Sequence, residues 1–244
     1  MVWRCPRLIA HRGGGLLAPE NTLAALRMAA QHGYRGVEFD VMLSGDGTPI
    51  LMHDETLERT TDGTGRVADA SDAELARLDA GGRHGAHFAG EPIPAFADAV
   101  EQCLALGLWA NVEIKPAQGF EAETGRKAAA LAREMWTAPL PPLLSSFSAV
   151  ALEAAREAAP ELPRGLLCGA VPAGWRGELR RLGCASLHCD ARRLTADALA
   201  QAKAAGVPIV VYTVNDPEEA ERLLRLGVAA VITDRIDLIP GASA

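Results

Sequence analysis

Ala205-Gly206-Val207-Pro208-Ile209-Val210-Val211-Tyr212-Thr213-Val214 follows an Ala- and Leu-rich amphipathic run, and its reading decides the fold. A glycine just past a helix takes the left-handed conformation without a Cβ clash, so Gly206 reads as a helix stop. The apolar run after it lacks the alternation of a half-exposed strand and fits a strand buried on both faces of a parallel sheet. The same unit recurs: Gly33 precedes Gly36–Leu43, Gly107 precedes Trp109–Lys115, Gly183 precedes Ala185–Asp190, and Gly227 precedes Ala229–Asp234. Alternating helix and strand of this kind predicts an α/β protein.

The candidate strands are Arg7–His11, Gly36–Leu43, Pro49–His53, Trp109–Lys115, Leu143–Phe147, Arg164–Ala170, Ala185–Asp190, Pro208–Val214 and Ala229–Asp234. That is one more than an eight-stranded barrel needs. Pro49–His53 is the surplus one, because only the turn sequence Ser44-Gly45-Asp46-Gly47 separates it from the strand before. Such a turn predicts a hairpin, which would bring His53 back beside Glu38 and Asp40. The rest match a (β/α)8 TIM barrel.

A chain of 244 residues, 49% hydrophobic and 23% charged, has the make-up of a soluble globular protein. One α/β barrel takes about 250 residues, and no linker divides the chain, so residues 1–244 read as one domain. The Gly-, Asp- and Arg-rich stretch Asp62–Glu91 reads as an insertion in it. A net charge of −7 without a basic, aromatic-rich cluster argues against a nucleic-acid partner. Five cysteines with no CxxC pair are expected to be buried reduced thiols. Cys184 and Cys189 lack the two further ligands a zinc site needs. The N-terminal Met-Val-Trp-Arg-Cys-Pro-Arg has no apolar leader core, and no run approaches the roughly 18 apolar residues of a membrane span. Cytoplasmic residence is the expectation by elimination. Monomer and homodimer are both compatible with the sequence.

Active sites of such barrels lie at the C-terminal ends of the strands. There the sequence places His11 and Arg12, Glu38 and Asp40, His53 and Asp54, Glu113 and Lys115, then Ser145 and Ser146, His188 with Asp190, Tyr212 with Asn215, and Asp234. Glu38 and Asp40 are separated by one residue, so both side chains leave the same face of a strand. With Glu113 they would make three converging carboxylates, which would repel one another unless a cation lay between them. An all-oxygen set suits Mg²⁺ or Ca²⁺ and disfavours Zn²⁺. Two histidines at neighbouring strand ends fit a general acid and base. Arg12 and Lys115 would carry the charge of a phosphate.

His32, His84, His87 and His188 read as structural hydrogen-bonders, although His84 and His87 lie in the insertion. In Pro19-Glu20-Asn21-Thr22, either Asn21 or Thr22 would cap the first helix, or the pair would support His11 from behind. Lys115 at a strand end also fits a Schiff-base aldolase, but three convergent carboxylates have no task in that chemistry. A non-catalytic phosphate-binding barrel would be expected to lack at least one of these groups.

His11-Arg12-Gly13 with Pro19-Glu20-Asn21-Thr22 resembles the opening signature of the glycerophosphodiester phosphodiesterases. Glu38-Phe39-Asp40-Val41, Asp46-Gly47, His53-Asp54, Val112-Glu113-Ile114-Lys115, Tyr212-Thr213-Val214-Asn215 and Ile232-Thr233-Asp234 resemble that family in order and spacing. The likeness runs from Arg7 to about Asp237 and looks closest to cytosolic bacterial members. It implies a barrel related to the phosphatidylinositol-specific phospholipases C, interrupted by an insertion at roughly Glu55–Pro92. The implied reaction is metal-dependent hydrolysis of glycerophosphodiesters (glycerophosphocholine, glycerophosphoethanolamine and similar) to sn-glycerol 3-phosphate and an alcohol. By the same likeness Glu38, Asp40 and Glu113 would hold the metal, His11 and His53 would be the acid–base pair, and Arg12 and Lys115 would contact phosphate. Many members carry Trp where this chain has Tyr212, which implies altered substrate packing with the chemistry kept.

Attack by a glycerol hydroxyl through a cyclic phosphate and direct attack by water both fit this reading. His11 is taken as base and His53 as acid, with the reverse open. A lysophospholipid is the rival substrate. The chain shows no basic amphipathic helix or lipidation signal for docking to a membrane, which favours a soluble diester.

Overall fold

The computed structural model describes residues 4–241; residues 1–3, where the N-terminal segment discussed above begins, and 242–244 lie outside the described residues. The strands are β1 (Leu8–Ala10), β2 (Gly36–Leu43), β3 (Pro49–Leu51), β4 (Trp109–Ile114), β5 (Leu143–Ser146), β6 (Arg164–Cys168), β7 (Ser186–Asp190), β8 (Ile209–Tyr212) and β9 (Ala230–Thr233). Eight of them are parallel neighbours in the order β1-β9-β8-β7-β6-β5-β4-β2, and β1 pairs with β2 to close the barrel. The ninth, β3, runs antiparallel along β2, with Val41 opposite Leu51 and Leu43 opposite Pro49. The hairpin read from Ser44-Gly45-Asp46-Gly47 is therefore present, and β3 is the strand outside the closed barrel.

The helices are α1 (Leu23–Gln31), α2 (Asp72–Leu75), α3 (Phe96–Leu106), α4 (Glu121–Met135), α5 (Ala149–Ala158), α6 (Trp175–Leu182), α7 (Ala196–Ala204) and α8 (Pro217–Leu226). Gly107, Gly183 and Gly227 end α3, α6 and α8 in the left-handed conformation. Among the described residues, no helix is long and apolar enough to cross a membrane.

Strand alternation divides the barrel into an outside and an inside. Val37, Phe39 and Val41 of β2 and Ala110, Val112 and Ile114 of β4 face outward into the cluster that holds Leu26, Phe96, Val100 and Ala128 of the helices. Each fully buried Val, Leu, Ile or Phe there contributes about 1.5–3 kcal/mol. The intervening residues point inward. Ile9, Trp109, Leu143, Val210, Ala230 and Ile232 form an apolar plug across the barrel. Further toward the C-terminal strand ends the buried residues turn polar: Glu38, Asn111, Ser145 and His188. The plug closes the floor, so polar chemistry is confined to the mouth.

Between β3 and α3 the chain makes a smaller cluster of its own. Leu57, Val67, Leu75, Ala80 and Ile93 pack on Met42, Ile50 and Met52 of the hairpin. Within it, Ser71 and Glu74 close a capping box at the start of α2. This packing fixes the segment against the rim of the barrel beside His53.

Candidate active site

The mouth is assembled from the ends of β1, β2, β4 and β9 and the turn after β3. Asp40 of β2 lies in register with Glu113 of β4, and Glu38 shares the inward face. One carboxylate oxygen from each of Glu38, Asp40 and Glu113 lies within 4.8 Å of the others. Burial, reinforced by the charge of Asp40, pushes Glu38 up to about 7 and Glu113 up to about 8. Two neighbouring cations offset part of this crowding. Arg12 Nε is 3.9 Å from Asp40, and Lys115 Nζ is 3.6 Å from Asp40 and 3.4 Å from Glu113. Among the described residues, Glu38 Oε1 is buried without a hydrogen-bond partner. A buried acceptor with no donor, in a cluster whose carboxylates resist ionising together, is the environment a hard cation would complete. The donor set thus fits an oxygen-ligated divalent ion.

Both histidines are held from behind. His11 Nδ1 lies 2.5 Å from Asp234 Oδ1, and Asn215 Nδ2 donates to the other oxygen of Asp234 at 2.9 Å. His53 Nδ1 lies 2.6 Å from Asp54 Oδ1. With Nδ1 taken, each ring presents Nε2 to the mouth: that of His11 is 3.7 Å from Glu38, and that of His53 is 2.7 Å from Lys115 Nζ. Since an ammonium only donates, Nε2 of His53 accepts and its proton sits on Nδ1. Burial pulls the His53 pKa below its ordinary value despite the opposing charge of Asp40. Burial acts the same way on His11, but the hydrogen bond to Asp234 and the charge of Glu38 outweigh it and raise the pKa.

The loop after β1 is shaped by close approach. Gly15 takes a φ of 56°, and a Cβ there would sit 2.1 Å from the carbonyl oxygen of Asp234. Leu16 N–H donates to that carbonyl at 2.9 Å. The backbone N–H of Arg12 donates to Glu38 at 3.0 Å, so the same loop orients one carboxylate of the cluster.

Every residue read from the sequence as catalytic or metal-ligating lies at this mouth. Asn21 and Thr22 divide the roles expected of them. Thr22 caps α1 by accepting from Ala25 N–H at 3.2 Å, whereas Asn21 is buried against Asp40, donating to its carboxylate at 2.9 Å and accepting from its backbone at 3.0 Å. The support expected beside His11 is found on Asp40 instead, because a φ of 58° turns Asn21 toward β2. Tyr212 donates to the Cys168 carbonyl at 2.9 Å and faces Phe147 edge-on at 6.2 Å between centroids. His188 lies deeper, bonded to Ser186 and pushed down to about 3 by burial, which makes it a neutral structural residue. His84 and His87 are exposed and pack against Phe88, His84 edge-on and His87 tilted, and His32 bonds the Met28 carbonyl.

Sequence reasoning missed the groups that orient the histidines and the arginine. Asp234, Asn215 and Asp54 stood among the strand-end residues without an assigned task. Glu20 accepts from Arg12 at 2.7 Å, and Arg59 pairs with both Glu20 and Asp54. An aspartate at a strand end is a usable signal for the first group; nothing local distinguishes Arg59 from a solvated charge.

This geometry agrees with known relatives. The glycerophosphoryl diester phosphodiesterase family matches residues 11–238. A glycerophosphodiester phosphodiesterase of Caldanaerobacter subterraneus is 36% identical over 229 residues, 93% of each chain. An Oleispira antarctica phosphodiesterase, solved in complex with the product sn-glycerol-3-phosphate, is 41% identical with a TM-score of 0.93, covering 96% of this chain and 95% of that one. A glycerophosphodiester phosphodiesterase from Agrobacterium tumefaciens superimposes with a TM-score of 0.80 at 28% identity, over 97% of this chain and all of its own (100%). These matches set aside the aldolase reading of Lys115. The barrel, the paired histidines at its mouth and the extent of the likeness all lead to one assignment: the chain belongs to the glycerophosphoryl diester phosphodiesterase family.

Proposed function

We propose that the protein hydrolyses soluble glycerophosphodiesters to sn-glycerol 3-phosphate and an alcohol, with His11 and His53 as the acid–base pair. The observation that carries this is the pair of His–Asp dyads at the edge of the carboxylate cluster, with Nε2 of His11 3.7 Å from Glu38 and Nε2 of His53 2.7 Å from Lys115 Nζ. Glu38, Asp40 and Glu113 would hold a divalent cation, Mg²⁺ or Ca²⁺, which when bound supplies Lewis-acid polarisation of the phosphate. Arg12 and Lys115, at the edge of that cluster, bind and neutralise the phosphate oxygens. One imidazole takes the proton of the attacking oxygen, and the other returns a proton to the departing alkoxide. Tyr212, backed by Phe147, forms an aromatic wall for the carbon skeleton.

The product-bound Oleispira relative supports the glycerophosphate half of the substrate. Five free thiols support a reducing compartment such as the cytoplasm. The test is release of sn-glycerol 3-phosphate from glycerophosphocholine and glycerophosphoethanolamine, followed by a coupled dehydrogenase with Mg²⁺ or Ca²⁺ present. Product from these diesters is expected. Silence with them, together with turnover of a lysophospholipid, would transfer the site to membrane-derived substrates.

The dyads give a pH prediction with a definite sign. Asp234 raises the His11 pKa through its hydrogen bond and its charge. Asp234→Asn should therefore move the limb of the pH–rate profile that belongs to His11 to lower pH and leave the His53 limb in place. If the acidic limb moves, His11 is the base; if the alkaline limb moves, it is the acid. A profile in which neither limb moves would remove His11 from the proton transfer.

A further inference from the structure

Arg59 lies in the segment between β3 and α3, outside the barrel, yet its guanidinium closes a chain across the mouth. Nε and Nη2 donate to the two oxygens of Asp54 at 2.5 and 3.0 Å, while Nη1 and Nη2 donate to the two oxygens of Glu20 at 2.6 and 2.8 Å. One planar fork thus makes two bidentate pairs, a task an ammonium on a flexible stem cannot reproduce. Beyond Asp54 lies His53, at 2.6 Å, and beyond Glu20 lies Arg12, at 2.7 Å. The acid–base histidine and the phosphate-facing arginine are therefore tied to each other through a single side chain.

The backbone under Arg59 is fixed on both sides. Leu57 is buried in the segment's own apolar cluster, and its N–H donates to Gly65 at 3.0 Å. Thr61 is fully buried, and both its N–H and its hydroxyl donate to the Leu57 carbonyl, at 3.1 and 2.7 Å. The Arg59 side chain is 45% exposed, so as a surface ion pair it would add little to stability. Two bidentate pairs on a half-exposed arginine, with a rigid turn beneath it, serve geometry more than folding energy. We propose that Arg59 is a positioning residue: it sets the place of His53 through Asp54 and of Arg12 through Glu20, so the segment between β3 and α3 supplies part of the active-site frame.

This rests on the phosphodiesterase reading above, and the experiment separates the two. Wild type, Arg59→Met, Arg59→Lys, His53→Ala and the double variant Arg59→Met/His53→Ala are assayed on glycerophosphocholine with saturating metal, with thermal melts as the fold control. Arg59→Met is expected to lower kcat/KM about 10- to 100-fold, as displaced catalytic groups do, with a melting curve close to wild type. Arg59→Lys is expected to recover only part of the loss. In the His53→Ala background, Arg59→Met should leave kcat nearly unchanged and act only on KM, through Arg12, because the group it positions for turnover is gone. Arg59→Met within twofold of wild type, or a kcat loss that multiplies fully with that of His53→Ala, would overturn the proposal. An inactive wild type would instead overturn the phosphodiesterase reading, and the proposal with it.

Discussion

Replacing His53 with Ala should lower kcat on glycerophosphocholine by about 10²- to 10⁴-fold, the usual worth of one positioned acid or base. That corresponds to about 3–5 kcal/mol of lost transition-state stabilisation. The ring is half-buried in the mouth with Nε2 toward Lys115 and Nδ1 on Asp54, and no outward-facing core residue depends on it. After truncation Asp54 keeps both bonds to Arg59, so no buried charge is stranded. The melting temperature should change little, and the affinity for divalent ion should also hold, because His53 is not among the clustered carboxylates. The loss is therefore expected in kcat, with KM moving far less. Near-normal turnover by His53→Ala would remove it from the acid–base pair and leave Lys115 as the remaining proton carrier on that side of the mouth.

The fold was readable because barrel architecture repeats a simple local grammar. Five of the eight helices (α1, α3, α6, α7 and α8) end within two residues of a glycine, and most buried strands are mainly apolar, so the nine runs and the hairpin could be counted without knowing their arrangement. The strand ends were less legible. Arg7–His11 contracts to Leu8–Ala10 and Pro208–Val214 to Ile209–Tyr212, although His11 and Val214 still donate to Thr233 and Ile232 of β9 at 2.9 and 3.0 Å. Glu38 and Asp40 could be paired from spacing alone, since i and i+2 share a strand face. Asn21 could not: its partner Asp40 is set by a left-handed backbone turn that sequence spacing does not encode. Arg59 was the least legible, as an arginine in a polar segment looks like any solvated charge. Its meaning comes from two carboxylates that folding delivers from separate loops.

The carboxylate cluster should make the stability of the metal-free protein fall as pH rises. Glu38 and Glu113 are raised from an ordinary 4.5 to about 7 and about 8, by burial first and by Asp40 second. A carboxyl whose folded pKa lies above its unfolded value holds its proton more tightly in the folded state. Its favourable contribution is complete below about pH 4.5 and is lost as pH climbs toward the folded values. A divalent ion competes for the same oxygens and replaces the protons. At a fixed free ion concentration, the stabilisation by Mg²⁺ or Ca²⁺ should thus be small near about pH 5 and largest near about pH 8. With the ion at about 100 times its Kd the gain is about 2.7 kcal/mol, a rise of about 5–10 °C in melting temperature for a chain of this size. Thermal melts across that range, with and without ion, measure both slopes. Glu113→Gln isolates the cluster from other titrating groups, since it should flatten the metal-free slope and reduce the response to ion together. A wild-type melting temperature that rises steadily with pH, with no growth in the response to ion, would mean that Arg12 and Lys115 alone neutralise the three carboxylates. The proposed cation site would then have to be abandoned.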